Sequence, residues 1–297
     1  MYQKLLAYMD DAKKSQSAVA RALGVSKATL NLYLQNKYAG DVAALDAKVR
    51  AFLDLAQKRA DTAVLTMDFV ETNTAKQMLS FLGLAHVLQQ LGIIYGGAGL
   101  GKTTCLKEYQ RRNPASLLIE PDTGFTARVL LQEICRALGC DTHGNVHDLT
   151  ERIVDVLRGS GRLLMIDEAE LLPLRALESI RRIHDKSGCA VMLVGMPKLL
   201  LNLKGPNAQF KQLFSRVSVR LDVGNDLSET DLKQMASETL GVRADAVLKC
   251  LIDTAQGGAR KLTKLMTLLK YLMQVNGIDA DDLDKAFIDR ANAYLIS

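Results

Sequence analysis

The sequence has no run of apolar residues that approaches the roughly 20 needed to cross a membrane as a helix. It begins with a few apolar residues followed by Asp10 and Asp11, so we expect neither a signal peptide nor a membrane anchor. The five cysteines are odd in number, scattered and never spaced as C-x-x-C, which predicts neither a disulfide framework nor a zinc site. These absences indicate a soluble protein of the reducing cytoplasm, with the cysteines as small core residues.

An excess of positive charge is confined to the beginning of the chain. The 297 residues carry a net charge of +5, from 38 Lys and Arg against 33 Asp and Glu. Residues 1–60 hold ten of the basic residues and five of the acidic ones. The rest of the chain has 28 basic and 28 acidic residues, whose charges cancel. A basic segment of this kind indicates a polyanionic partner, and the alternative is a solvated basic face.

A glycine-rich loop after an apolar run is the most specific motif in the chain. Gly96 is followed after four residues by Gly101, Lys102 and Thr103. This is the spacing of a P-loop, in which backbone N–H groups surround phosphates, the lysine meets β- and γ-phosphate oxygens and the hydroxyl binds Mg²⁺. The alternative is a glycine turn without a ligand. The predicted contacts of ATP and Mg²⁺ are Gly96, Gly97, Ala98, Gly99, Leu100, Gly101, Lys102, Thr103 and Thr104.

A second apolar run ends in two adjacent acids. Residues 163–166 are Leu-Leu-Met-Ile, and Asp167 and Glu168 follow them. This pattern is common alone, but after a P-loop it has the form of a Walker B strand. Asp167 would join the Mg²⁺ shell, and Glu168 would orient the water that attacks the γ-phosphate. We therefore predict Thr103 and Asp167 at the metal, and Glu168 and Lys102 as catalytic residues.

Strands and helices alternate through the middle of the chain. Apolar runs predict four buried strands, residues 217–221 are predicted as a fifth strand, and the segments between the strands have helical periodicity. This order is typical of a parallel α/β sheet that holds a nucleotide at the carboxyl ends of its strands. After residue 228 only helical patterns remain. The predicted domains are 1–62, 63–223 and 224–297.

The basic first segment has the pattern of a helix-turn-helix. Ala20 is small where two helices would cross, Gly24 supplies the positive φ of a tight turn, and Ser26 can cap the second helix. The segment resembles the DNA-binding domains of phage repressors; the alternative is a small helical bundle that contacts protein. In this resemblance Lys27, Ala28 and Asn31 face a major groove, while Arg21 and Lys37 lie nearer to phosphates.

Together, the P-loop, the paired acids and the helical tail resemble an AAA+ ATPase. The implied fold is a P-loop NTPase with a parallel five-stranded sheet, preceded by an all-α helix-turn-helix domain and followed by an all-α lid. Arg260, after Gly-Gly-Ala, resembles the sensor-two arginine of the lid. Arg216 is the best match for the arginine finger that a neighbouring subunit supplies, with Arg220 in reserve. Where the family usually has a polar sensor-one residue, this chain has Gly195 and Met196, which implies slow hydrolysis.

More narrowly, the whole architecture resembles the B transposition proteins of Mu-like phages and the transposon ATPases of the Tn7 and TniB type. That resemblance implies an ATPase of the bacterial host cytoplasm that forms filaments on duplex DNA, marks target DNA and stimulates a transposase. Charge and position suggest that the DNA channel is lined by Thr126, Arg128, Arg175, Arg181 and Arg182, with the three residues of the 175–182 segment exposed. Two alternatives are a helicase loader or replication initiator, and a nucleotide-responsive transcription regulator that reads one operator.

Overall fold

The computed structural model describes residues 1–63, 68–204 and 215–295, and the chain forms two compact units, Met1–Met67 and Asp68–Ser297. The boundary between the units lies five residues beyond the predicted domain end at residue 62. The further division at residues 223 and 224 stays a prediction. In the described ranges, no helix is both long and apolar enough to span a membrane.

The first unit consists of helices. Helices α1 to α4 span Tyr2–Asp11, Gln16–Leu23, Lys27–Leu34 and Val42–Ala63. The hydroxyls of Ser15 and Ser26 cap α2 and α3 by accepting from backbone N–H groups three residues further on. Between these helices Gly24 has a φ of +63°, a left-handed conformation that glycine adopts without strain. Leu5 and Leu30 are fully buried among the helices. The helices and the turn that the sequence predicts between residues 16 and 35 are present.

The second unit is built on a parallel sheet of five strands. Strands β1 to β5 span Leu91–Tyr95, Leu117–Ile119, Leu163–Ile166, Ala190–Gly195 and Val217–Asp222. Their order is β2-β3-β4-β1-β5, and all neighbouring strands are parallel. The predicted parallel five-stranded fold is therefore confirmed. The carboxyl ends of β1 and β3, which lead into the two sequence motifs, lie at one edge with only β4 between them.

Helices cover both faces of the sheet. Helices α5 to α14 span Asn73–Val87, Lys102–Arg112, Ala127–Leu138, Val146–Leu157, Leu174–Ser187, Pro197–Lys204, Glu229–Leu240, Asp245–Thr254, Ala259–Asn276 and Lys285–Asn292. Successive strand residues face opposite sides: Ile93 packs with α7, α8 and α9, whereas Ile94 packs with α5 and α6. Because both faces of β1, β3 and β4 are buried, these strands are almost continuously apolar, which is why the sequence predicts them well; β5 alternates between half-buried and exposed residues.

A buried carboxylate connects the helical tail to α5, the helix that precedes β1. Asp231, in the first turn of α11, is 1% exposed. It accepts hydrogen bonds from the backbone N–H of Asn73 at 2.9 Å and from the hydroxyl of Thr74 at 2.5 Å. The negative charge thus lies at the N-terminus of α5, the positive end of the helix dipole. Since α5 precedes β1, the tail is anchored to the helix that leads into the P-loop strand.

Candidate nucleotide site

The P-loop turns tightly between β1 and α6 at the carboxyl edge of the sheet. The N–H of Gly97 donates to the carbonyl of Gly224 at 2.8 Å. A β-carbon on Gly97 would lie 2.2 Å from the carbonyl oxygen of Asn225, so only glycine fits there. Gly101 has a φ of +79° and is followed directly by α6, which begins at Lys102. The loop therefore has the geometry that the spacing predicts, with a helix N-terminus facing the phosphate position.

Lys102 is held by the loop itself. Its Nζ donates to the carbonyl of Gly96 at 2.9 Å and to the carbonyl of Gly97 at 2.6 Å. Burial lowers the pKa of the Lys102 ammonium, and the negative charges of Glu170, Asp167 and Glu168 oppose that shift. An ammonium group that is surrounded by acids and carbonyls can turn toward phosphate oxygens with little movement of the backbone.

Thr103 and Asp167 lie in direct contact. The Thr103 hydroxyl donates to Oδ2 of Asp167 at 2.5 Å, and Asp167 is 3% exposed. The Asp167 N–H donates to the carbonyl of Ile119 at 2.9 Å, which holds this position at the end of β3. A hydroxyl and a carboxylate oxygen are hard ligands that fit Mg²⁺, which keeps several waters and takes substrate phosphates as further ligands. No cluster of three or more His, Cys, Asp or Glu side chains suited to a metal occurs among the described residues.

Glu168 has an unusual backbone conformation. Its φ is +42°, in the left-handed region, and its side chain is exposed. Its N–H donates to Oδ1 of Asp167 at 2.9 Å. For a residue other than glycine, such strain costs of order 1–3 kcal/mol and is concentrated at functional sites. The conformation lifts the second acid out of the strand direction, so that Asp167 is buried beside Thr103 while Glu168 reaches solvent.

Arg260 lies next to the P-loop. It is exposed in the first turn of α13, and a β-carbon built on Gly99 would lie 3.5 Å from its Cβ. The helical tail therefore brings a guanidinium to the same edge as Lys102. This is the location that the resemblance implies for a sensor-two arginine.

Arg216 lies at the opposite edge of the sheet. It directly precedes β5, whose first residue, Val217, pairs with Leu91 at the start of β1, whereas the P-loop follows the end of β1. The five residues of β1 separate the two positions, which corresponds to about 16 Å. The Arg216 side chain is 59% exposed, and its Nε lies 3.4 Å from Asp185. Within one chain, Arg216 therefore lies away from the nucleotide site; the ten residues before Ser215, 205–214, lie outside the described residues.

The DNA-contact predictions receive different support. In the first unit, Arg21, Lys27, Ala28, Asn31 and Lys37 are all exposed, as are Arg128, Arg175 and Arg182 in the second. The Thr126 hydroxyl accepts from the N–H of Val129 at 3.3 Å and so caps α7. The predicted exposure of Arg181 is wrong. Its side chain is 17% exposed and forms ion pairs with Glu178 and Asp185, three residues before and four residues after it on α9.

One acid near the site was not among the predicted residues. Glu170 follows the paired acids in the short turn Ala169–Leu171, and its Oε2 is buried. The only signal in the sequence is that it is a third acid in the run Asp-Glu-Ala-Glu. Its position relative to β4 depends on the fold of the turn, which the pattern does not specify.

Comparison with known proteins agrees with this geometry. The family described as AAA domain matches residues 85–203, which include the P-loop and the acids of β3. Residues 85–203 therefore have the fold of an AAA P-loop ATPase. The chain is an ATPase, and the resemblance to AAA+ ATPases and to B transposition proteins of Mu-like phages is confirmed.

Two relatives extend over most of the chain. The Mu-like prophage FluMu DNA transposition protein B of Haemophilus influenzae is 29% identical over 273 residues, covering 89% of this chain and 94% of that protein. The ATP-dependent target DNA activator B of Escherichia phage Mu is 27% identical over 292 residues, covering 95% and 92%. A solved structure, the ORC2 protein of Aeropyrum pernix in its ADP form, has a TM-score of 0.60 at 17% identity and covers 77% of this chain and 69% of that one. At this identity the likeness concerns the fold alone.

Proposed function

We propose that this ATPase assembles on duplex DNA as an ATP-dependent filament, selects or presents target DNA, and stimulates a transposase in the cytoplasm of a bacterial host. One observation carries the proposal: the nucleotide site has Lys102 and Arg260 at one edge of the sheet, while Arg216 lies at the other. Because Arg216 lies at the edge opposite the nucleotide site of its own chain, the Arg216 of a second copy completes the site. The names of the two relatives, a DNA transposition protein and a target DNA activator, support the transposition role.

The ATPase site uses each residue for a distinct task. Lys102 leaves the carbonyls of the P-loop and binds the β- and γ-phosphate oxygens of ATP. Thr103 and Asp167 are suited to hold Mg²⁺, which neutralises charge that develops on the phosphates. Arg260 lies where it can contact the γ-phosphate from the helical tail.

Glu168 acts on the attacking water, which its exposed carboxylate can reach at the edge of the site. The water oxygen forms a bond to the γ-phosphorus, and the bond from that phosphorus to the bridging oxygen breaks. The electron pair of that bond stays on ADP. The proton that Glu168 accepts from the water leaves finally with inorganic phosphate.

Arg216 of a neighbouring copy would complete this site. An arginine finger that acts between subunits stabilises the charge of the transition state and contributes about 10³–10⁵ in rate. ATP then joins subunits, and its hydrolysis releases them. If hydrolysis is slow compared with assembly, the rate of hydrolysis would determine how long the filament stays on DNA.

DNA binding is supported by charge and exposure. Residues 1–60 carry a net charge of +5, and the exposed Lys27, Ala28 and Asn31 follow the cap of α3, the second helix of the predicted motif. Arg21 and Lys37 are exposed beside it, so they suit phosphate contacts. In the second unit we retain Thr126, Arg128, Arg175 and Arg182 as candidate channel residues. Arg181 is omitted because its charge is already paired. We further propose that residues 63–223 form the nucleotide-binding domain and 224–297 its lid.

Electron microscopy of the full chain with non-specific duplex DNA tests the proposal. We expect ATP to produce long filaments at moderate salt and Lys102→Ala to abolish them. Lys107→Ala is the matched control, because Lys107 lies on the same helix but pairs with Glu120 at 2.8 Å. A protein that stays monomeric on DNA with ATP at every concentration would contradict the proposal. Binding to a single palindrome would favour a transcription regulator, and a preference for single strands would favour a helicase loader.

A further inference from the structure

The end of β4 lies between the two motifs of the nucleotide site. Strand β4 is flanked by β3, which leads into the acids, and by β1, which leads into the P-loop. Its last residue is Gly195, whose carbonyl accepts the N–H of Gly96 at 3.3 Å. The backbone of Gly195 therefore lies beside the start of the P-loop, at the edge where parallel sheets bind ligands. Because glycine has no side chain, another residue can occupy the space next to position 195.

Glu170 occupies the space. A β-carbon on Gly195 would lie 2.0 Å from Oε2 of Glu170 and 3.3 Å from a methyl group of Leu199. The shorter distance is far below any real contact, so the Glu170 carboxylate and a side chain at position 195 exclude each other. Gly195 is not in the left-handed region, so backbone conformation does not require glycine here; glycine leaves room for the end of the Glu170 side chain. The buried Oε2 thus reaches the tip of β4 from the turn after β3.

Lys102 is joined to this carboxylate by a short series of contacts. The chain of contacts runs from Glu170 to Gly195, from Gly195 to Gly96, and from the Gly96 carbonyl to Lys102. Glu170 therefore belongs to the inner part of the site.

We propose that Glu170 is a positioning residue for hydrolysis: its carboxylate, reaching across Gly195 to the end of β4, accepts a hydrogen bond from the attacking water and holds that water for Glu168. An ionised carboxylate only accepts hydrogen bonds and repels phosphate oxygens, so water is the partner that suits it beside a γ-phosphate. The inference rests on the ATPase site proposed above. AAA+ ATPases usually have a polar sensor-one residue at the position where this chain has Gly195 and Met196. In this inference, the turn after β3 supplies the polar group instead.

Two substitutions that remove the carboxylate in different ways test this role. In Glu170→Ala the group is absent, and in Gly195→Ala the new β-carbon displaces it while changing only one atom of the strand. We expect each variant to lower kcat about tenfold or more in DNA-stimulated hydrolysis. ATP affinity, measured with a fluorescent ATP analogue, should stay within about threefold because the phosphate contacts remain.

The double variant separates a shared role from two independent defects. If Gly195→Ala acts by moving the carboxylate, Glu170→Ala/Gly195→Ala hydrolyses ATP no more slowly than Glu170→Ala alone. Glu170→Gln, which keeps an accepting oxygen, should recover part of the rate. Glu133→Ala is the control, because that acid lies on α7 in an ion pair with Arg136.

Three outcomes would overturn the inference. The first is a kcat of Glu170→Ala within twofold of the wild type. The second is a loss of rate in the double variant that equals the product of the two single losses. The third is weaker ATP binding with unchanged kcat, which would show that Glu170 only supports the P-loop. Lys102→Ala in the same assays separates this from a failure of the site itself. If wild-type and Lys102→Ala proteins hydrolyse ATP equally, the ATPase site is misassigned; if only Glu170→Ala behaves as wild type, the inference alone fails.

Discussion

Thr103 donates its hydroxyl hydrogen to Asp167 across 2.5 Å, and this bond joins the helix after the P-loop to the strand that carries the acids. The two residues are 64 positions apart in sequence, yet their side chains are in contact because β4 alone separates β1 from β3. The two oxygens that suit Mg²⁺ are thus brought together by the fold before any ligand is considered. Such preorganisation lowers the cost of assembling the site.

Asp167→Asn should weaken ATP binding only when Mg²⁺ is present. The substitution removes the charge that suits the ion but keeps the size of the side chain, and a lost charge-assisted contact corresponds to about 10- to 100-fold in affinity. Calorimetric titration with ATP in Mg²⁺ and in EDTA measures the difference. Asp155→Asn, at an exposed position on α8, is the control. An equal loss in EDTA would show that Asp167 supports the fold of the loop and not the metal.

Glu168→Gln should separate binding from turnover. The amide cannot accept the proton of the attacking water, so we expect phosphate release to fall by about 100-fold or more while ATP binding persists. Filaments formed with ATP should then fail to disassemble after dilution, which light scattering measures. Glu178→Gln, on α9, controls for the loss of one negative charge. Normal turnover by Glu168→Gln would remove Glu168 from its assigned task.

Arg216→Ala should impair hydrolysis only in assemblies. Because Arg216 lies about 16 Å from the P-loop of its own chain, we expect dilute protein to keep its low rate and the DNA-bound protein to lose about 10³-fold. Arg158→Ala is the matched control, because Arg158 is 61% exposed and pairs with Asp155. An equal loss in dilute monomer would contradict a role between subunits.

A mixing experiment gives the same prediction a second measurement. Arg216→Ala has an intact P-loop and Lys102→Ala has an intact Arg216, so a mixture contains interfaces that combine both. We expect the mixture to regain part of the DNA-stimulated rate that each variant lacks alone. Activity no higher than the sum of the two separate proteins would argue that Arg216 does not act across the interface.

Glu108→Gln should lower stability in a pH-dependent way. Hydrogen bonds from Arg111 and Arg112 lower the pKa of Glu108 from 4.5 to about 2, and its side chain is 8% exposed. A depressed pKa stabilises the fold above the unfolded value, and the contribution is lost as pH falls from about 4.5 toward 2. Since both arginines are partly exposed, we expect a loss of about 1 kcal/mol at pH 7.

Urea unfolding at pH 7 and at pH 3 measures this effect. The difference between wild type and Glu108→Gln should shrink at the lower pH, because at pH 3 the carboxyl of the unfolded wild-type chain is protonated and that of the folded chain is still mostly ionised. Glu133→Gln removes a carboxylate that a single arginine pairs in a more exposed position, and should cost less. A difference that is the same at both pH values would show that the effect comes from packing and not from the charge.

The predictable part of the molecule is the part encoded by local pattern. Apolar runs indicated β1 to β4 because buried parallel strands are apolar on both faces, whereas β5 has the alternating pattern of a strand at the side of the sheet. The spacing from Gly96 to Lys102 gave the loop, because the number of residues in the turn determines which groups reach the phosphate. The location of Arg216 follows from chain order as well, since every strand of a parallel sheet begins at the same edge.

The rest of the site depends on packing between segments that are distant in sequence. The φ of +42° at Glu168 and the reach of Glu170 to Gly195 arise from the turn after β3 and its contact with β4, which no periodicity encodes. The pairing of Arg181 was different, because Glu178 and Asp185 stand at helical spacing from it. Counting acids at those positions would have predicted a paired guanidinium.

The opposite locations of Arg216 and the P-loop give any assembly of this chain a direction. An interface that joins one edge of a sheet to the other edge of the next is heterologous, so copies add head to tail and the two tips of a filament are unlike. At one tip a nucleotide meets no arginine and persists, whereas every interior nucleotide meets one. The two ends of a filament on DNA would therefore differ in composition, because only one of them carries a nucleotide site without a partner arginine.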